Sequence, residues 1–143
     1  MGVWKMGEKL PLIDLLNALL EAERAGVGTA THLLKNYPSK ELDAQYKQLK
    51  KDEAWSCAGL YKSILREGGE PSMKVGAFVD KVIALETLKE KLVLLNKGQA
   101  WVARKIDEAM AYSIQPETEA FLKEMKVKHH TNIGEMDKYL VQL

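Results

Sequence analysis

Four stretches of the chain, each about 25 residues long, repeat apolar side chains at steps of three and four, and that spacing commits the chain to a helical bundle. The first runs through Ile13, Leu16, Leu20, Val27, Ala30 and Leu34, the second through Leu42, Tyr46, Leu49, Leu60 and Ile64. The third is Leu88, Leu92, Leu95, Val102, Ile106 and Ala109; the fourth is Leu122, Met125, Met136 and Leu140, with either Asn132 or Ile133 facing inward. Helix formers dominate between these positions, and no segment sustains the alternation of a strand.

Punctuation sets the boundaries. Pro11, Pro38, Pro71 and Pro116 each read as lying just before or at the start of a helix, where a missing N–H costs nothing. Gly68-Gly69 stops one segment, Ser72 is placed to cap the next, and Thr87 with Glu90 reads as a capping box. The predicted helices are 11–36, 39–67, a short piece at 76–85, 88–112 and 117–141. Short connections make hairpins of the first and second, and of the third and fourth. The long connection between the second and third has room to run back along the bundle. The expected fold is therefore all-α, an antiparallel four-helix bundle with a crossover that contains a short extra helix, in one domain over residues 1–143.

Each stripe is interrupted by a polar residue: Glu23, Glu53, Gln99 and His129. Each lies between twelve and fourteen residues from one end of its predicted segment, so at 1.5 Å per residue all four stand at mid-height, roughly 20 Å from either end. Four unrelated core defects at one level are improbable; a shared site accounts for them. A carboxylate in an apolar interior is expensive, and two together cannot both stay charged without compensation. Either a cation binds between them, or one is protonated, or His129 and a neighbouring Arg or Lys neutralise them. In the first case the mixture of carboxylate and imidazole suits Fe, Mn or Zn better than Ca or Mg.

The remaining composition excludes more than it selects. A net charge of +1, from 21 basic and 20 acidic residues, provides no concentrated basic face for nucleic acid. No apolar run reaches the ~20 residues that span a bilayer, and residues 1–6 have neither a signal-peptide core nor a myristoylation site. One cysteine, Cys57, suits a reducing cytoplasm and reads as a small buried hydrophobe. A homodimer is compatible with a bundle of this size, although no surface stripe of apolar residues requires one.

With these residues in view the chain resembles the ferritin-like bundles, in which two helices contribute a Glu each and two contribute a Glu-x-x-His. The segments 15–26 and 95–105 are similar to a bacterial ferritin-like family without an assigned activity. The resemblance implies that Glu23 stands for the single Glu of the first helix and Glu53 for the Glu of the second-helix motif. The remaining matches are substituted. The motif's His falls on Ser56, beside Cys57; the third-helix Glu falls on Gln99; the fourth-helix pair reads His129-x-x-Asn132. What remains implies one metal ion (Fe, Mn or Zn) on Glu23, Glu53 and His129, with Gln99 or water completing the shell and a redox or oxygen-related role.

Against this stands a bundle with a relic polar core, acting as an oligomerisation or partner-binding module. A third option is a small-molecule pocket among Gly26, Gly28, Trp55 and Trp101. His130, Glu21, Arg24, Arg104, Lys105 and the Lys123, Lys126, Lys128 run read as solvated faces.

Overall fold

The computed structural model describes the backbone of residues 3–143 and side chains from residue 10 onward; the reading of residues 1–6 lies outside those side chains. The described residues form five helices: α1 (Val3–Asn36), α2 (Asp43–Arg66), α3 (Phe78–Ala84), α4 (Leu88–Met110) and α5 (Pro116–Leu140). Among them there is no strand. Among the described residues no helix is long and apolar enough to cross a membrane.

The boundaries follow local chemistry. Thr87 caps α4 through its side chain and Glu90 reaches back to the Thr87 N–H, the expected capping box. Pro116 opens α5 in its first turn. Gly68 ends the second helix at φ +90, a backbone that favours glycine. Three boundary readings are corrected. Pro11 lies inside α1, which extends upstream to Val3; the proline removes one backbone donor from an otherwise continuous helix. Ser72 does not cap a helix, because α3 starts at Phe78 with Ala77 before it. The Ser72 hydroxyl instead accepts from the Lys74 N–H within an extended connection. The second helix also starts later than predicted, at Asp43, whose carboxylate accepts from the Ser39 N–H across the preceding turn.

Two apolar clusters show how the helices run. One joins the early part of α1 (Leu12, Leu16, Leu19, Leu20) to the late parts of α2 and α4 (Leu60, Ile64, Val102, Ile106, Ala109) and the start of α5 (Leu122, Met125). The other joins the end of α1 (Ala30, Leu33) to the starts of α2 and α4 (Leu42, Tyr46, Leu49, Leu92, Leu95) and the end of α5 (Met136). Neighbouring long helices are thus antiparallel, and the connection from α2 to α4 travels the length of the bundle. α1 packs against α2, α3 and α4, and α5 against α2 and α4. Because α1 faces three elements, its buried face is wider than one stripe: Leu12, Leu19 and Leu33 are buried, while Ile13, Val27 and Leu34 sit at its partly exposed edges. In α5 the inward residue is Asn132, not Ile133.

The crossover is fastened to α1. Asn17 Nδ2 donates to the Glu70 carbonyl, and Asn17 Oδ1 accepts from the Ser72 N–H. Arg24 donates to the carbonyls of Ser72 and Lys74. The Gly76 N–H donates to the Glu21 carbonyl. Arg24 is therefore a fastening for the crossover and not part of a solvated face. Further on, buried Lys91 donates to the carbonyls of Val82 and Ile83 and so closes the C-terminus of α3.

Candidate metal centre

Between the two apolar clusters lies a layer of buried polar side chains. Glu23 comes from α1, Glu53 and Ser56 from α2, Gln99 from α4 and His129 from α5. The four interruptions predicted from the stripes are thus brought together at one level. Glu23, Glu53 and His129 each present one donor atom, and these three atoms lie within 4.8 Å of one another.

The imidazole is held from both sides. His129 Nδ1 lies 2.8 Å from the Met125 carbonyl oxygen, a group that only accepts, so Nδ1 carries a hydrogen. Nε2 therefore faces the carboxylates, 2.8 Å from Glu23 Oε1 and 3.9 Å from Glu53 Oε1. In the metal-free protein one proton lies between Nε2 and Glu23. Burial drives the Glu23 carboxyl above its ordinary value, although the His129 charge and hydrogen bond oppose it. For His129, burial disfavours the cation, but the Glu23 charge and hydrogen bond, the Met125 carbonyl and Asp52 outweigh it and raise its pKa.

Glu53 is seated by its neighbours. Gln99 Nε2 donates to Glu53 Oε1. On the other side Gly26 of α1 leaves the space that the carboxyl fills: a Cβ there would stand 2.8 Å from Glu53 Cδ and Oε2. Gly26 thus permits a close approach of a carboxylate, not simply of two helices.

The donor set fits a transition-metal ion. Two carboxylates and an imidazole converge, and the imidazole's second nitrogen is fixed on a backbone carbonyl, as in metal-bound histidines. Three further buried oxygens at this level, Glu23 Oε2, Gln99 Oε1 and Ser56 Oγ, have no hydrogen-bond partner. A cation would satisfy acceptors that the protein leaves open.

Other expected participants are placed elsewhere. Asn132 donates to Asp52 Oδ2 at 3.0 Å and so belongs to the edge of the layer. Cys57 is partly buried against an apolar cluster. Burial and the Glu23 charge push its thiol up to about 11, so it is a hydrophobe and not a thiolate. Trp55 packs on Phe121 at a tilt, with ring centroids 4.9 Å apart, and Gly28 packs towards Val79. His130 is exposed, as expected.

Asp52 was missed by sequence reasoning. It is buried, accepts from Gln48 at 2.8 Å and from Asn132, and lies 4.0 Å from Lys128. Its only signal was Gln48 four residues earlier on the same helix face. Lys126 pairs with Asp107 at 2.6 Å and Lys128 lies over the Trp55 ring, so these two make helix-to-helix contacts at the surface, while Lys123 stays on an exposed face beside Glu119 of its own helix.

An all-helical bundle with a buried Glu–Glu–His cluster at mid-height is the class that fold and site define. The chain belongs to the family described as Domain of unknown function (DUF6306), whose model matches residues 11–138 and so spans all of the cluster. Comparison with curated proteins and with solved structures gave no match.

Proposed function

We propose that this chain is a ferritin-like bundle that holds one transition-metal ion, Fe, Mn or Zn, on Glu23, Glu53 and His129. The observation that carries the reading is the convergence of three strong ligand atoms within 4.8 Å beside acceptors that no protein group satisfies. Gln99 Oε1 is the natural fourth ligand, since it is buried and unpartnered while its amide nitrogen steadies Glu53. Three or four protein ligands leave positions open, and an ion held in this way supplies Lewis-acid or redox chemistry. The chain's own contribution is to strip water from the site, hold the His129 tautomer and yield the proton shared with Glu23. Dioxygen or peroxide is the class of reactant that suits such a site.

Elemental analysis of untagged protein, before and after incubation with Fe(II), Mn(II) or Zn(II), tests the reading. The expected result is about one equivalent of one metal per chain, lost in Glu53→Ala. Metal retained at the same level in Glu53→Ala would sink it.

One observation favours a second reading. Each carboxylate already has a donor, Glu23 from His129 and Glu53 from Gln99, so the layer forms a partial network without metal. A module that only assembles or binds partners would retain such a network. The absence of metal under every loading condition would select it.

A further inference from the structure

The polar layer forms the inner end of a cavity of about 540 Å³ between α1 and α4, roofed by the crossover at Gly76, Ala77 and Phe78. Its size lies within the range of small-molecule sites. The sequence explains why the space is there. Ala18, Ala22 and Gly26 follow one another at steps of four on α1, so a ridge of small residues faces α4 where large ones would close the gap. Across from them, Gly98 and Trp101 of α4 form the opposite wall, with the Phe78 ring against Gly98. The fastened crossover prevents collapse from above.

Charge is distributed unevenly along this cavity. At the inner end are Glu23 and Glu53, both buried. Lys81, Lys97 and Arg104 also line it, and all three are exposed, which places them at its mouth. None of the three makes an ion pair among the described residues. Glu21 is the single acidic residue beside them, so the mouth keeps an excess of positive charge. Between the two ends the walls are chiefly apolar.

We infer that this cavity binds an amphipathic carboxylate, an acid with an apolar body. The carboxylate lies at the mouth among Lys81, Lys97 and Arg104, and the body lies between α1 and α4 with its far end towards the polar layer. The reverse orientation would set the ligand's carboxylate against carboxyl oxygens of Glu23 and Glu53, groups that accept and offer it no donor. A neutral ligand would leave the mouth charges without a role, and a highly charged one would gain nothing from the walls. This goes beyond the metal reading, because the head is held by residues that are not ligand candidates and the walls exist without an ion. If both hold, the ligand's apolar end is the part presented to the metal.

The test is calorimetric titration of the metal-free full chain with straight-chain carboxylates from hexanoate to dodecanoate, with the corresponding alcohols in parallel. One carboxylate per chain is expected, bound more tightly than its alcohol. Replacing Lys97→Gln together with Arg104→Gln should weaken the carboxylate about tenfold and leave the alcohol unchanged. These are surface changes, so folding is not at risk. Ala22→Phe should remove both by filling the space, with helicity checked by circular dichroism. No binding of any chain length, or equal binding of acid and alcohol that the double variant does not alter, would overturn the inference. Repeating the titration on Glu53→Ala separates the two proposals: carboxylate binding there without metal would leave the cavity inference standing alone.

Discussion

Two buried acidic sites in this molecule are built differently. Near the end of α2, Glu67 is 3% exposed and one carboxylate oxygen takes two donors: Thr118 Oγ1 donates to Oε2 at 2.7 Å and the Gln115 N–H at 3.1 Å. Arg66 supports Thr118 at 3.0 Å, and the Gln115 side chain donates to the Arg66 carbonyl. That set ties the end of one helix to the start of another. At mid-bundle, Glu23 is 1% exposed, yet its Oε2 has no partner, and the same is true of Gln99 Oε1 and Ser56 Oγ nearby. A buried polar group retained for structure alone is normally satisfied. The contrast is between a buried acid whose donors tie two helices together and a buried acid whose second oxygen no protein group reaches.

The comparison breaks first at His129. In metal-free protein, His129→Leu leaves two carboxylates buried without a cation, and urea unfolding should show a loss of about 3–5 kcal/mol. A loss below ~1 kcal/mol would mean that the layer carries no charge. At the structural site, Glu67→Ala strands the Thr118 hydroxyl and the Gln115 N–H and should cost about 1–3 kcal/mol by the same measurement, with metal content unchanged. If metal content fell as well, the two sites would not be independent.

A smaller effect sharpens the comparison through pH. His129 has a raised pKa, so its stabilisation is complete below its ordinary 6.5 and is lost as pH rises through the higher folded value. Burial raises Glu23 too, from 4.5, but it shares one proton with His129, so the pair loses a single proton as pH climbs and stability declines with it. The titratable groups that act on this pair from the packed helices are Glu53, Asp52 and Cys57. The melting temperature of metal-free protein should therefore fall between pH 6 and pH 9. In Glu23→Gln with Glu53→Gln the slope should flatten, and the melting temperature at pH 9 should equal or exceed the parent's. An equal slope in parent and variant would remove the shared proton from the account.

Much of this was legible in the sequence, for definite reasons. Glu53, Gln99 and His129 stood out because each occupies a position that helical periodicity assigns to the core, and a polar residue there costs free energy that must be recovered. Glu23 was legible in the same way. Asp52 was not, because it lies one residue off the stripe and becomes buried only where Asn132 of α5 packs over it. Glu67 was hidden at a helix end, where acids are ordinarily solvated. The start of α1 was misread because proline marks a boundary only statistically, and Pro11 sits within a helix that continues on both sides. The cavity was glimpsed through Gly26 and Trp101, while Gly28 and Trp55, grouped with them, prove to pack against Val79 and Phe121.

Gly26 makes α1 and α2 interdependent in what substitutions they can accept. Alanine is the better helix former by roughly 1 kcal/mol, so on backbone grounds position 26 should drift towards it. The Glu53 carboxyl occupies the volume that the new methyl would need. The two positions can therefore change only in concert: a side chain at 26 becomes acceptable once the residue at 53 is shortened. Each is a permissive background for the other, and a lineage that gives up the longer carboxylate is freed to take the more stable helix.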